Sequence, residues 1–437
     1  MEAQTTLFFF VLVSIFWFHQ GCLRVGLITN WQSIPYVVRD HGSNSRMSFP
    51  DQSERIRTAT VNQTKESHAT LRIRTDSPFN TSGHLHGDHT LDYWTESEKN
   101  PKIGNKTFFV IWNVPSLKCV QYGIDLNLSH YNITSNSNME WNGNIINIFY
   151  EDELGYYPNI LQNRSRVHGG LPQLVDIEKH LKKCIADIKV SIPSPDFSGL
   201  AVIDWESWVP TWERLWDTRL IYKNASLDLV RSRHPDWNET TVESEANREW
   251  QSAAKNKAIF ILGRRLMLST LQVALAERPK ARWGFYLYPD CYNYNGPQIH
   301  DCTDIVKERN NELEWLFKES TVLLPSAYLD SKYDIKWKTA FVRHKKQEAL
   351  RIRQYVGLSP RAMPVFLYSR FRHPDTLTWY SLIELNATIA QSKSLGTDGI
   401  VLWDDHLVTD TREHCSLLQR YVTTTLGPLV QKIVNNS

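Results

Sequence analysis

Excess charge of either sign is missing. Lys and Arg total 49 against 47 Asp and Glu, a net charge of +2 over 437 residues. That excludes the strongly basic surface by which a nucleic-acid binder neutralises phosphates, although a local basic patch can still meet a polyanion. Cysteine is also sparse. The six are Cys22, Cys119, Cys184, Cys291, Cys302 and Cys415, and no two form a C-x-x-C pair, which speaks against a zinc ribbon or a thioredoxin motif. In an oxidising compartment Cys291 and Cys302 can close a local loop, and Cys119 and Cys415 can staple the two ends of the structured part. Spacing alone leaves that connectivity open. Long apolar runs are nearly absent. Leu7 to Phe18 is apolar but too short to span a bilayer, and it suits the core of a signal peptide. Its flank carries Glu2 and no Lys or Arg, and Gly21-Cys22 follows. The expectation is a signal peptide over 1–22 and secretion to the extracellular space, with an uncleaved anchor as the alternative. No later segment is long and apolar enough to cross a membrane.

What is abundant fits that compartment. N-x-Ser/Thr acceptors occur at Asn62, Asn80, Asn105, Asn127, Asn132, Asn163, Asn224, Asn238, Asn386 and Asn435. Tryptophan numbers 16, which favours a carbohydrate or another flat ligand. Residues 23–102 are polar, rich in Ser, Thr, Asn, Arg and His, and read as a largely disordered extension. The run from His84 to His89 within it reads as polar linker rather than metal site, because no second ligand cluster accompanies it.

From residue 103 to 437 the texture is that of a folded domain. Short β-rich runs recur at Phe108–Trp112, Ile145–Tyr150, Leu200–Asp204, Trp283–Tyr288, Val322–Tyr328, Val365–Phe371 and Gly399–Trp403. Helix-like stretches separate many of them, near Leu174–Val190, Glu239–Arg278, Asp304–Lys318, Trp337–Tyr355, Ser381–Ser394 and Glu413–Val434. Strands alternating with helices imply a parallel sheet. Seven or eight such units predict an α/β fold, a distorted (β/α) barrel of about seven to eight parallel strands, with its chemistry at the C-terminal strand ends.

One strand end stands out. The apolar run Gly199 to Ile203 leads into Asp204-Trp205-Glu206. Side chains two apart on a strand share a face, so Asp204 and Glu206 project together while Trp205 packs on the other side. Two adjacent carboxylates repel, and one then keeps its proton near neutral pH. A protonated acid beside an anionic partner is the arrangement used in glycoside hydrolysis. The same pair also suits a solvated strand end or a metal site. Trp208, Trp212 and Trp216 follow closely and offer flat faces on which a sugar ring can stack.

The ordered segments around this pair resemble the hyaluronidase family of glycoside hydrolases, the family of the animal and venom enzymes. They are Ile111-Trp-Asn-Val-Pro, Ile148-Phe-Tyr with Leu154-Gly-Tyr-Tyr-Pro, Gly169-Gly-Leu-Pro-Gln, Pro195 through Glu206, His234-Pro-Asp-Trp, Trp283 through Tyr294, Leu324-Pro-Ser-Ala-Tyr, Gly399-Ile-Val-Leu-Trp and Leu426-Gly-Pro. The resemblance implies hydrolysis of hyaluronan, often with chondroitin as a second substrate; the same chemistry with chondroitin preferred is the first alternative. It implies that Glu206 is the proton donor, that Asp204 orients and polarises the substrate acetamide, and that the acetamido oxygen is the nucleophile, giving net retention. Tyr286 and Tyr328 resemble tyrosines that contact the acetamide-bearing sugar; Tyr150 and Trp403 resemble aromatic walls of that pocket. Cys119–Cys415 and Cys291–Cys302 match the family's two catalytic-domain disulfides, leaving Cys184 unpaired and buried. A monomer without cofactor or metal is the expectation.

The chain departs from the family pattern in two places. Where Arg-Val-x-Glu-Ala is usual, it reads His344-Lys345-Lys346-Gln347-Glu348-Ala349. Lys345 then stands in for an arginine as the cation for a substrate carboxylate, with Lys346, Arg343 and Arg370 as weaker candidates. The family's Tyr-x-Asp reads Phe371-Arg372-His373-Pro374-Asp375, so its aspartate aligns with Pro374 or Asp375. A rival from another class is a glycan-binding barrel with little or no catalysis. Retention of Glu206, Asp204, Tyr286 and Tyr328 argues against it. A chitinase-like enzyme is disfavoured because its longer run of alternating aspartates is absent.

Overall fold

The computed structural model describes residues 108–251, 262–294, 301–360 and 362–436. The expected signal peptide over 1–22 and extension over 23–102, with Cys22, the His84–His89 run and the acceptor Asn105, lie outside the described residues. Two parallel sheets organise the described part. One has the order β2-β1-β7-β6, from β1 (Phe109–Asn113), β2 (Ile133–Ser135), β6 (Phe366–Ser369) and β7 (Gly399–Trp403). The other has the order β3-β4-β5, from β3 (Ile146–Phe149), β4 (Leu200–Ile203) and β5 (Arg282–Phe285). Registers are regular, with Ile146 opposite Leu200 and Leu200 opposite Arg282 in the second sheet. Helices fill most of the connections between the strands, so the class is mixed α/β with parallel sheets.

The segment Val322–Tyr328, expected as a strand, makes only single parallel bridges. They run from Leu323 to Val365, from Leu324 to Tyr286, and from Ser326 to Tyr368. Pro325 sits in its centre and donates no main-chain hydrogen bond, so a continuous ladder cannot form there. These bridges still join β5 to β6. At the other seam the side chain of Asn136, just past β2, reaches the start of β3. Its Nδ2 donates to the Ile146 carbonyl at 3.0 Å, and its Oδ1 accepts from the Ile145 and Ile146 amides at 2.9 and 3.0 Å. The short strand β2 was not anticipated, because only Ile133 in it is apolar and buried.

Alternation sorts the strand side chains onto two faces. Ile111, Ile146, Ile148, Leu200, Val202, Val401 and Trp403 share one cluster with Tyr286, Leu324 and Tyr368. The intervening residues, such as Phe149, Ala201, Ile203, Trp205 and Phe285, pack outward into a second cluster with helix residues. Among the helices behind them is α1 (Ile177–Ser191), which Asp176 caps by accepting from the Lys179 amide at 3.1 Å. Its His180, Cys184 and Ile188 are buried, at the spacing of one helical face. His180 Nε2 lies 2.7 Å from Thr270 Oγ1 on α2 (Leu262–Glu277). The Glu239–Arg278 stretch, read as one region, contains Glu239–Gln251 and α2 as separate helices.

Both disulfides are formed. Cys119 and Cys415 have Cα atoms 5.3 Å apart and tie the short helix after β1 to Arg412–Tyr421. Cys291 and Cys302 have Cα atoms 4.8 Å apart. Cys184 is unpaired and buried, as expected. No helix among the described residues is long and apolar enough to cross a membrane.

Candidate active site

Main-chain hydrogen bonds carry β4 past its last strand residue. The Asp204 amide donates to the Phe149 carbonyl at 2.9 Å, and beyond it the side chains go on alternating as far as Glu206 without further ladder bonds. Trp205 is buried on the outer face against Tyr157, His180 and Phe285. Asp204 and Glu206 are left on the inner face and hydrogen-bonded to each other. Burial, then the charge of its partner, pushes the Asp204 carboxyl well above the usual carboxylate range. Burial also pushes Glu206 up to about 7, against the opposing pull of its bond to Asp204 and of Arg219. Asp204 Oδ1 has no hydrogen-bond partner among the described residues. A buried acceptor of that kind is a place for a ligand donor.

Glu206 faces an open cleft of about 630 Å³, counted together with the solvent at its mouth, lined also by Tyr286, Ser326, Tyr328, Asp330, Tyr333 and Trp337. The Tyr286 hydroxyl donates to Ser326 Oγ at 2.9 Å. Tyr328 stacks on Trp403 with centroids 6.0 Å apart, and Trp403 Nε1 donates to the Tyr150 hydroxyl at 3.3 Å. Trp141 stacks on Tyr150 and meets Trp403 edge-on. Glu206, Tyr286 and Tyr328 therefore line one concavity, with Asp204 beside Glu206 and with Trp403, Tyr150 and Trp141 stacked in series behind Tyr328; an acid that keeps its proton beside aromatic faces is the composition of a saccharide-cleaving site. Among the described residues no group of three or more His, Cys, Asp or Glu side chains is arranged to hold a metal.

Residues 97–437 match the family model described as hyaluronidase, a glycoside hydrolase family. The chain belongs to the hyaluronidase family. It is 36% identical to Hyaluronidase-1 of Mus musculus over 365 residues, 81% of this chain and 76% of that protein. To Hyaluronidase-1 of Homo sapiens it is 36% identical over 353 residues, 80% of this chain and 79% of that one. The crystal structure of bee venom hyaluronidase in complex with a hyaluronic acid tetramer superposes with a TM-score of 0.69 at 33% identity, covering 75% of this chain and 99% of that chain. Membership makes this chain a glycosidase.

Against the family pattern, the cation expected from Lys345 is a correction. Lys345 lies on α3 (Ile335–Tyr355) but is fully buried. Its ammonium pairs with Asp290 and sits 3.9 Å over the Tyr294 ring. Its charge is spent inside the protein, and it presents no surface to a substrate. Spacing misled because the face of α3 carrying Phe341 and Val342 also buries Lys345 and Lys346. Lys346 donates to the Thr388 carbonyl at 3.2 Å, and burial pushes its pKa well down. Arg343 is exposed on the same helix. Arg370 is buried, pairs with Asp404 and Asp405, and lies 5.1 Å over the Trp403 ring. In the altered Tyr-x-Asp stretch, Pro374 lines the cleft, whereas Asp375 accepts from the Ser331 amide and hydroxyl. The acceptors Asn127, Asn163, Asn224, Asn238 and Asn386 are exposed, and Asn132 is half-buried.

Two residues at the site escaped the sequence reading. Glu151 follows Tyr150 and accepts from the Glu206 and Ser207 amides at 3.3 and 2.9 Å and from the Ser207 hydroxyl. Arg219 is buried and donates twice to the Glu206 carbonyl, from Nε at 3.2 Å and Nη2 at 2.9 Å. Neither lies in a motif, and only tertiary packing brings them to the acid.

Proposed function

We propose that the protein is a secreted endo-β-N-acetylhexosaminidase that cleaves hyaluronan with retention, using the substrate's acetamido oxygen as nucleophile. The observation that carries this reading is the hydrogen-bonded Asp204–Glu206 pair, with Glu206 on the cleft wall and holding its proton up to about pH 7. In the first step the Glu206 proton passes to the glycosidic oxygen as its bond to the sugar C1 breaks, and the acetamido oxygen bonds to C1. Asp204 orients the acetamide and stabilises the charge that develops on it. In the second step Glu206, now a carboxylate, takes a proton from water as the water oxygen replaces the acetamido oxygen at C1. The two inversions give net retention. Tyr286 and Tyr328 hold the acetamide-bearing sugar, and Tyr150 and Trp403 wall its pocket.

The same proposal includes closure of the strands into a (β/α) barrel. The order β3-β4-β5, the 322–328 segment, then β6-β7-β1-β2 is continuous through the parallel bridges, and the Asn136 side chain spans the remaining seam. It also includes removal of a signal peptide over 1–22, the two-segment division at residue 103, a monomeric state and glycans on the exposed acceptors. The relative solved with a hyaluronic acid tetramer supports hyaluronan over chondroitin as the polymer bound. Mass analysis of oligosaccharides released from purified hyaluronan and chondroitin, with Glu206→Gln as control, tests the reading. Even-numbered fragments from wild type alone support it, and equal release by the variant refutes it.

A further inference from the structure

The main chain at Glu206 is held on both sides by charged groups that the proposed reaction does not use. On one side the Glu151 carboxylate accepts from the amides of Glu206 and Ser207 and from the Ser207 hydroxyl, while its other oxygen accepts from Asn159 Nδ2 at 2.8 Å. Asn159 is itself fixed by the Tyr222 hydroxyl at 2.6 Å. On the other side the Arg219 guanidinium donates twice to the Glu206 carbonyl. Glu206 follows the last residue of β4 by three positions and makes no ladder hydrogen bond of its own. Its placement therefore depends on these contacts and on the Trp208 amide, which donates to the Tyr157 hydroxyl at 3.2 Å.

Resting on the reading of Glu206 as proton donor, we propose that Glu151 and Arg219 are positioning residues that grip the Glu206 peptide from opposite sides and act on its carboxyl with opposite charge. Glu151 favours the protonated acid by repulsion, and Arg219 favours the carboxylate by attraction. The other charged groups facing Glu206 are Asp204, its hydrogen-bond partner, and Asp290, whose charge also favours the protonated acid. Tyr286, Tyr288, Tyr294 and Tyr328 also face it and stay neutral, since burial raises each of their pKa values. Facing Glu151 are Asp152 and the neutral Tyr157 and Tyr222. Burial lifts the Glu151 pKa, while its bonds to Ser207 and Glu206 hold it back. A carboxylate fixed by that many donors near an acid works as a built-in setting of the pH at which the acid loses its proton.

The consequence is specific in sign. Glu151→Gln keeps the shape but removes the negative charge, so Glu206 gives up its proton at lower pH. The alkaline limb of kcat against pH on hyaluronan is expected to move down by about half a unit to one unit. Ser207→Ala removes a hydrogen bond and keeps the charge, so its limb stays at the wild-type position even if its rate falls. A second readout does not depend on turnover: thermal stability against pH for each chain with and without Glu206→Gln, whose difference reports the proton affinity of Glu206. That midpoint is expected to fall in the Glu151→Gln background and to stay put with Ser207→Ala. If Glu151→Gln leaves both the limb and the midpoint at their wild-type positions, the proposal is wrong. If wild type cleaves no hyaluronan at any pH, the functional reading fails, and the stability midpoint still decides the clamp.

Discussion

Replacing Lys345 with alanine is expected to damage the fold rather than substrate binding. The Lys345 side chain is fully buried, and its partner Asp290 is 4% exposed. Among the described residues the other Asp290 oxygen accepts from the Tyr294 hydroxyl, at 2.6 Å. Deleting the ammonium strands a buried carboxylate, which costs about 3–5 kcal/mol. With unfolding entropy of about 2.1 cal/mol/K per residue over roughly 330 residues, a loss of about 4 kcal/mol lowers Tm by about 6 °C. Calorimetry at pH 6 measures this directly. Because the pair is buried, raising salt should change the difference little. Lys345→Met with Asp290→Leu removes both charges and should recover most of the loss. The pH dependence has a definite sign. Burial depresses the folded-state pKa of Lys345 below its unfolded value. In the window between the two the unfolded chain binds more protons, so wild-type stability rises with pH there, and the variant lacks that rise. An unchanged Tm together with a severalfold higher KM for hyaluronan would refute the argument and return Lys345 to the substrate.

Three further outcomes follow from the same geometry. Glu206→Gln should be more stable than wild type at pH 8 by about 3 kcal/mol, the 1.36 kcal/mol per unit that holds Glu206 at about 7. Since a raised carboxyl pKa destabilises the fold as pH rises, that advantage should vanish below about pH 4 in thermal melts. Replacing Cys119 and Cys415 with alanine opens a loop with a sequence separation of 296 and should cost up to about 5 kcal/mol in urea unfolding. Turnover at 25 °C should survive it, because this disulfide lies outside the cleft. Tyr286→Phe deletes the hydroxyl that donates to Ser326 and should lower kcat about tenfold or more with the fold intact, which melts and initial rates together can check.

Much of the site was legible because it is written in local pattern. Asp204, Trp205 and Glu206 extend a strand, so alternation alone assigns their faces, and the outward burial of Trp205 bears that out. The strand ends at Ile203, Phe285 and Trp403 likewise fell within a few residues of the apolar runs. One departure was local and was overlooked, and two were not local. The 322–328 run is apolar enough to read as a strand, but Pro325 reduces it to bridges. Lys345 and Lys346 look like surface charges, yet α3 turns them inward, where Asp290, 55 residues away in sequence, receives one of them. Glu151 and Arg219 serve the acid through its main chain, a role that no side-chain motif encodes.

The most direct test of the account is the anomeric configuration of the product that the purified protein first releases from hyaluronan, followed by proton NMR. The β anomer is expected to appear first and mutarotate afterwards, with Glu206→Gln releasing product about 10²–10⁴-fold more slowly. Release of the α anomer first, or near-native release by Glu206→Gln, would contradict it.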